Sequence, residues 1–327
     1  MKMLDSVFCY YLMISDYVVN GLNKYMKGEN SPSINIGVID EWLFPIPPLS
    51  EQRRICDKLQ EVLPAVDKYG RLQCELESLD KEVFINLRKS VLQEAIQGKL
   101  VAQDPNDEPA AELLKRIRNE KARLVKEKKI KRDKNETVIY RKGDSYYEKT
   151  LATGEVNCID DEIPFEIPKG WEWARLGYIC SLVDGMKKEG HFICHDAKYL
   201  RGKSDGVFIE KGKFVKKGDN IILVDGENSG EVFTVPCDGY MGSTFKQLWV
   251  SSAVYLPFVL NFILFYKDLL RKSKRGSAIP HLNKNLFYTL IIGIPPLSEQ
   301  RRICSKLQEV LPVMDYNAPE NLGMLIR

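Results

Sequence analysis

Apolar residues at Ile55, Leu59, Val62, Val66, Tyr69, Leu72, Leu76, Leu79, Val83, Leu87 and Val91 recur in steps of three and four, the spacing that stacks side chains on one helix face. Pro47 and Pro48 precede the run, Ser50 supplies a candidate N-cap, and Gly98 within Gln97-Gly98-Lys99-Leu100 closes it. The pattern therefore predicts one helix of about 45 residues, roughly 65 to 70 Å long. So long a helix with a single apolar stripe needs a partner helix. The chain carries a candidate, because residues 46–67 recur at 294–315 with 19 identities in 22 positions. Ile303, Leu307, Val310 and Met314 repeat the stripe, Ser298 repeats the cap, and Pro64 and Pro312 predict a kink or break in each helix.

The duplication reaches further back. At the same offset of 248, residues 5–27 align with 253–275, Gly28 with Gly276, Pro32 with Pro280 and Asn35 with Asn283. This bears on Gln247 to Tyr266, 20 residues without a charge, a membrane-span candidate on length alone. Asp5 and Asp16 stand in the other copy where Ala253 and Leu264 stand here, so the stretch reads as a domain helix with a buried face. The apolar N-terminal run reads likewise as a domain helix, with no recognisable signal cleavage site.

Five segments follow: 1–44, the end of a first globular domain with little ahead of it to pack against; 45–98, the long helix; 99–160, a basic helix over 110–132 and a polar linker; 161–293, a complete globular domain; and 294–327, the second helix and a tail broken by Pro319. In the complete domain, strands are predicted at 206–209, 220–224, 231–235 and 286–292, with turn signals at Lys217-Gly218-Asp219 and Asp225-Gly226. Trp171 and Trp173 alternate at its entrance and read as core anchors.

With 44% apolar residues the chain is long enough for more than one core, and its net charge of +3 does not by itself demand a polyanion. The charge is uneven, since residues 165–293 hold 18 Lys/Arg against 13 Asp/Glu, modest support for phosphate contact. The eight cysteines form no C-x-x-C pair and read as reduced thiols of a cytoplasmic protein. His191, Cys194 and His195 lack a fourth ligand for a metal. Gly202-Lys203-Ser204 lacks the glycine-rich turn of a phosphate loop. Asp184, Asp196 and Lys198 fit the minimal pattern of a metal-dependent nuclease, a pattern short enough for chance. No catalytic residue, metal or cofactor is expected, and a methyltransferase-type Asn-Pro-Pro or Asp-Pro-Pro aromatic tetrapeptide is absent.

Together, PPLSEQRRI running into a long helix, GKLV with DPNDEPA and AELLKRIRNEKARLVKEKKIKR, IPFEIPKGWEWARLG and GSAIPHLNK resemble the specificity subunit of type I restriction-modification enzymes. The resemblance implies an α+β fold: a mixed α/β target-recognition domain joined to long conserved helices that form an antiparallel, coiled-coil-like spacer. It implies double-stranded DNA, methyltransferase subunits and a motor-nuclease subunit as partners, and no catalysis by this chain. The sequence departs from that pattern at both ends, reading as a shortened or rearranged member with one complete recognition domain. An inert remnant, or a helix-mediated interaction protein without DNA reading, is the alternative. The stripe Ile55, Leu59, Val62, Val66, Leu72, Leu76, Leu79, Val83 and Leu87 is the expected partner-helix interface, and self-association through it is an option.

Reading DNA needs donors for base edges and cations for phosphates, both on accessible loops. The candidates are Lys187, Lys188, Arg201, Lys203, Ser204, Asn228, Ser229, Lys246, Lys274, Arg275, Ser277, His281 and Asn283. Arg275, Ser277 and Asn283 rank first because they lie in or beside GSAIPHLNK.

Overall fold

The computed structural model describes residues 3–26, 33–34, 36–130, 136–273 and 281–316. The chain divides into two compact units, Met1–Glu82 and Val83–Arg327.

The first unit holds α1 (Ser6–Ile14), α2 (Asp16–Asn23), α3 (Ile36–Asp40) and the first part of α4 (Leu49–Ile96). Asp5 caps α1 by accepting from the amides of Val7 and Phe8, which satisfies two of the donors a helix start leaves unpaired. Phe8, Val18, Cys56 and Gln52 are buried, and Trp42 packs between Tyr17 and Tyr25. α4 passes through Pro64 without a break, although Gln60 loses the amide donor its carbonyl would otherwise meet. α4 begins at Leu49, so Ser50 lies in its first turn.

α4 ends as its sequence predicts. Lys99 N–H donates to Glu94 O at 2.9 Å and Gly98 N–H to Ala95 O at 3.3 Å, the paired bonds of a Schellman motif. Gly98 has φ +72°, and a Cβ there would lie 2.4 Å from Pro168, so both conformation and space require glycine.

In the second unit, α5 (Ala110–Lys126) lays Ala110, Leu113 and Ile117 into the main core. Its basic run is divided. Lys115 and Arg123 are exposed and paired on their own helix surface, whereas Lys121 is buried, paired with Glu136 at 3.0 Å and donating to Gly177 O at 3.1 Å. Much of the stretch expected to be a linker is an antiparallel sheet of β1 (Thr137–Lys142), β2 (Ser145–Thr150) and β3 (Val156–Cys158). The polar composition misled because this sheet is small and mostly part-exposed. Ile139 and Ile159 seat it on Trp173 and Ile291, and Arg175 clamps Glu148 with two hydrogen bonds of 2.9 and 2.7 Å. Those bonds hold the Glu148 carboxyl below its ordinary value.

Beyond them the chain runs through β4 (Glu172–Arg175), α6 (Leu176–Ile179), β5 (Cys180–Val183), β6 (Met186–His195), α7 (Ala197–Leu200), β7 (Val207–Val215), β8 (Asn220–Leu223), β9 (Val232–Thr234), β10 (Gly239–Met241) and β11 (Phe245–Val250). There follow α8 (Leu256–Phe265), α9 (Lys267–Lys272), α10 (Lys284–Thr289), β12 (Ile291–Ile294) and α11 (Leu297–Tyr316). β5, β11, β8 and β9 form one sheet, β12 pairs with β4, and β6, β7 and β10 close on one another. Trp171 and Trp173 are both buried. The uncharged run 247–266 is split between β11 and α8, and no helix of the described residues is long and apolar enough to cross a membrane. The strand expected from residue 286 begins only at Ile291, because Asn283 caps a helix there.

The sequence repeat is also structural. Gln52 and Gln300 are both 0% exposed, and each donates to the carbonyl of its own Pro-Pro turn, Pro47 at 2.8 Å and Pro295 at 2.9 Å. Each also accepts an amide from the start of the preceding helical segment, Asp5 at 2.8 Å and Tyr255 at 2.8 Å. Their surroundings differ. Tyr10 is 60% and Ile14 52% exposed, while the aligned Phe258 and Phe262 are each 2% exposed within the main core. Gln300→Ala strands a buried amide and a buried carbonyl, at about 1–3 kcal/mol each. We expect the thermal midpoint to fall by roughly 5–10 °C, measured by calorimetry.

Candidate nucleic-acid interface

The expected contact residues divide into free and committed groups. Lys187 and Lys188 lie on β6, and Lys203 and Ser204 lie in the turn after α7; all four are exposed. β7 adds two lysines that the sequence reading passed over. Lys213 stands opposite Lys187 and Lys211 opposite Glu189 in the β6–β7 register; the Lys-Gly-Lys alternation inside a β-rich run was their only signal. Like charges facing across a ladder are unfavourable, and Asp184 offsets them here. It accepts from Lys213 at 2.9 Å and from Lys246, and these two ammonium groups hold its carboxyl far below the usual carboxylate range. Lys246 and Lys213 are thus both engaged by one carboxylate. Lys187, Lys188, Lys203 and Lys211 are exposed and make no ion pair among the described residues. The Lys188 ammonium lies 3.9 Å from the Phe214 ring centroid and 4.7 Å from that of Phe192, which steadies a long side chain without removing its charge.

A second group converges around the turn between β8 and β9. Arg201 follows α7 and pairs with Glu231, which Lys267 also approaches at 3.8 Å. His281 Nδ1 lies 2.7 Å from Asp225 Oδ1, and the two residues form an isolated β-bridge. Asn228 is part-exposed in the turn. Ser229 is 1% exposed and donates to Gly226 O, so its hydroxyl braces the turn. Asn283 accepts from Leu286 N at 3.2 Å as the cap of α10. Lys274, Arg275 and Ser277, like the Gly276 and Pro280 of the repeat alignment, lie outside the described residues.

The nuclease-like pattern is dispersed among structural roles. Asp184 is held by its two lysines, and Asp196 accepts from the amides of Lys198 and Tyr199 at 2.9 and 2.8 Å to cap α7. His191 is exposed, paired with Glu210 and stacked on Phe208. His195 is buried with its Nε2 against Cys237 O at 2.9 Å, and burial lowers its pKa. Among the described residues no group of three or more His, Cys, Asp or Glu is placed to hold a metal ion.

The expected partner-helix stripe is accessible. Ile55, Val62, Val66, Leu72, Leu76, Leu79, Val83 and Leu87 are each at least 37% exposed, and Leu59 is part-exposed. Within the second unit, Ile303 and Leu307 of α11 belong to the same buried core as Leu92, Ala95 and Ile96 at the end of α4, and α11 runs through Pro312 without a break.

Residues 168–317 match the model of the type I restriction modification DNA specificity domain. The chain is 47% identical over 265 residues to the type I restriction enzyme EcoEI specificity subunit of Escherichia coli, covering 73% of this chain and 41% of that protein. It is 29% identical over 330 residues to the EcoAI specificity subunit of the same species, covering 82% of this chain and 53% of the other. The chain thus spans about half the length of these two relatives. A solved structure titled for complex assembly and conformational transition of the type I R-M system aligns with a TM-score of 0.58 and 19% identity, over 97% of this chain and 66% of its own. That likeness speaks for the fold alone.

Proposed function

Because the chain belongs to the specificity-subunit family of type I restriction-modification enzymes, we propose that it reads one half of a bipartite DNA site through residues 163–292. In this reading it catalyses nothing itself. It docks methyltransferase subunits, and a motor-nuclease subunit joins the assembled enzyme. The observation that carries the reading is the set of exposed lysines without ion pairs, Lys187, Lys188 and Lys211 on the β6–β7 ribbon and Lys203 in the turn beyond. A two-stranded ribbon fits the major groove, cations beside it fix register on the phosphates, and the turn bearing Asn228 with His281 supplies polar groups for base edges.

The exposed stripe of α4 is the surface that takes up a further helix. Where a second copy of this chain supplies that helix, two identical recognition domains related by a two-fold axis read an interrupted palindrome; two different domains read an asymmetric site.

Methylome sequencing of cells expressing the chain with and without its methyltransferase subunit tests the proposal. We expect a new bipartite methylated motif that needs the chain. Alanine at Asn228 and His281 should relax one half of it, whereas an unchanged methylome would favour an interaction protein without DNA reading.

A further inference from the structure

The β6–β7 ribbon exposes more than its lysines. Gly190 and His191 of β6 together oppose Glu210 of β7, because the register steps from Glu189 opposite Lys211 to Phe192 opposite Ile209. This is a β-bulge, a device by which a strand re-aims a side chain. Gly190 has φ +141°, a conformation that favours glycine. Tyr240, 0% exposed, fastens the bulge from beneath. A Cβ on Gly212 would stand 2.8 Å from the Tyr240 ring, and the Tyr240 hydroxyl donates to Gly190 O at 2.7 Å.

The bulge lays the His191 ring on that of Phe208, with centroids 5.0 Å apart and planes 10° from parallel. His191 Nδ1 lies 2.8 Å from Glu210 Oε1, so the backing ring is itself held in place. Phe208 is nonetheless 56% exposed, with Val207 beside it at 62%. A single exposed apolar residue needs no explanation. Here, however, a bulge, a buried hydroxyl and a second ring fix the phenyl group while more than half of the residue stays in water.

We infer that Phe208 packs on the C5-methyl group of a thymine in the recognised half-site, and that His191 is the positioning residue behind it. This deepens the DNA-reading proposal and rests on it. The unpaired lysines of the ribbon hold phosphates, which carry no sequence information. In the major groove, where a two-stranded ribbon fits, the apolar group a base pair presents is the thymine methyl. Lys203 and Lys211 flank Phe208 along the chain, so what covers the ring is a polyanion rather than an apolar patch of a protein. A wedge between base steps enters from the minor groove, which the ribbon does not suit. Cytosine has no methyl at this place, so the contact favours thymine over cytosine there.

The test uses the full chain with its methyltransferase subunit and synthetic duplexes of the methylated motif. In the half-site this chain reads, each thymine is replaced in turn by deoxyuridine, which lacks only the C5-methyl, and binding is followed by competition anisotropy. One replacement is expected to weaken wild-type binding about fourfold, the worth of one buried methyl group. Phe208→Ala should bind both duplexes alike at that position, and Phe208→Leu should keep part of the discrimination. His191→Ala should reduce it, whereas His191→Phe, which preserves a stacked ring, should retain it. Deoxyuridine read like thymine at every position, or a half-site without thymine, overturns the inference and leaves the DNA-reading proposal standing. Phe208→Ala that weakens both duplexes equally also overturns it. So does a Phe208→Ala chain that loses the methyltransferase subunit while its discrimination is intact, which would put the ring at a protein interface. If the chain specifies no motif, the DNA-reading proposal falls and takes this inference with it.

Discussion

Replacing Lys187, Lys188, Lys203 and Lys211 together by alanine is expected to lower affinity for duplex DNA by roughly two to three orders of magnitude at physiological salt. Each cation that neutralises a phosphate contributes about 0.9 to the slope of log affinity against log salt, so removal of four should flatten that slope by roughly 3 to 4. Electrophoretic mobility or anisotropy titrations from low to moderate salt measure both quantities. The four are exposed and outside the core, so the thermal midpoint should hardly move. Arg201→Ala is a weaker probe, because its guanidinium is tied to Glu231 and its loss also disturbs the turn that Glu231 follows. Wild-type binding that is flat with salt would remove the electrostatic basis of the proposal.

The second large effect is expected on α4. Leu76→Asp with Val83→Asp places two charges in the middle of a stripe whose members are 53% and 59% exposed in the single chain. The substitutions cost the isolated chain little. In an assembled helix pair each uncompensated carboxylate costs about 3 kcal/mol, so the two together should weaken association by roughly four orders of magnitude. Sedimentation at tens of micromolar, alone and with the methyltransferase subunit, reads the loss, while DNA contact by residues 163–292 should persist. A wild-type chain that neither self-associates nor retains that subunit would favour an inert remnant.

Much of this molecule is local and so was legible in its sequence. The stripe, the Gly98 cap and the Pro-Pro entry fix α4, because helix periodicity and a left-handed cap depend on near neighbours along the chain. The duplication alone argued that the uncharged run is no membrane span, and motif resemblance named the family. The tryptophan pair announced the core. Local rules also misjudged some segments. Residues 137–158 read as a linker because a three-stranded sheet leaning on Ile291 and Trp173 needs little apolar content of its own, and Asn283 turned an expected strand into a helix start.

Which polar side chains are free was decided only by the tertiary structure. Arg201, Lys246, Ser229 and Asn283 looked as available as Lys187 or Lys203, yet their partners lie 30, 62, 3 and 3 positions away. The three-residue separations mark a turn and a cap that hold only if the surrounding fold forms, and the long ones mark ion pairs that no window of sequence contains. The repeat shows the division most plainly. Glu51 and Glu299 stand in identical sequence, and both helices form. One carboxylate is exposed and the other is buried against Trp171, 128 residues earlier in the chain, because a helix start is encoded by its neighbours whereas its burial depends on what the rest of the chain packs against it.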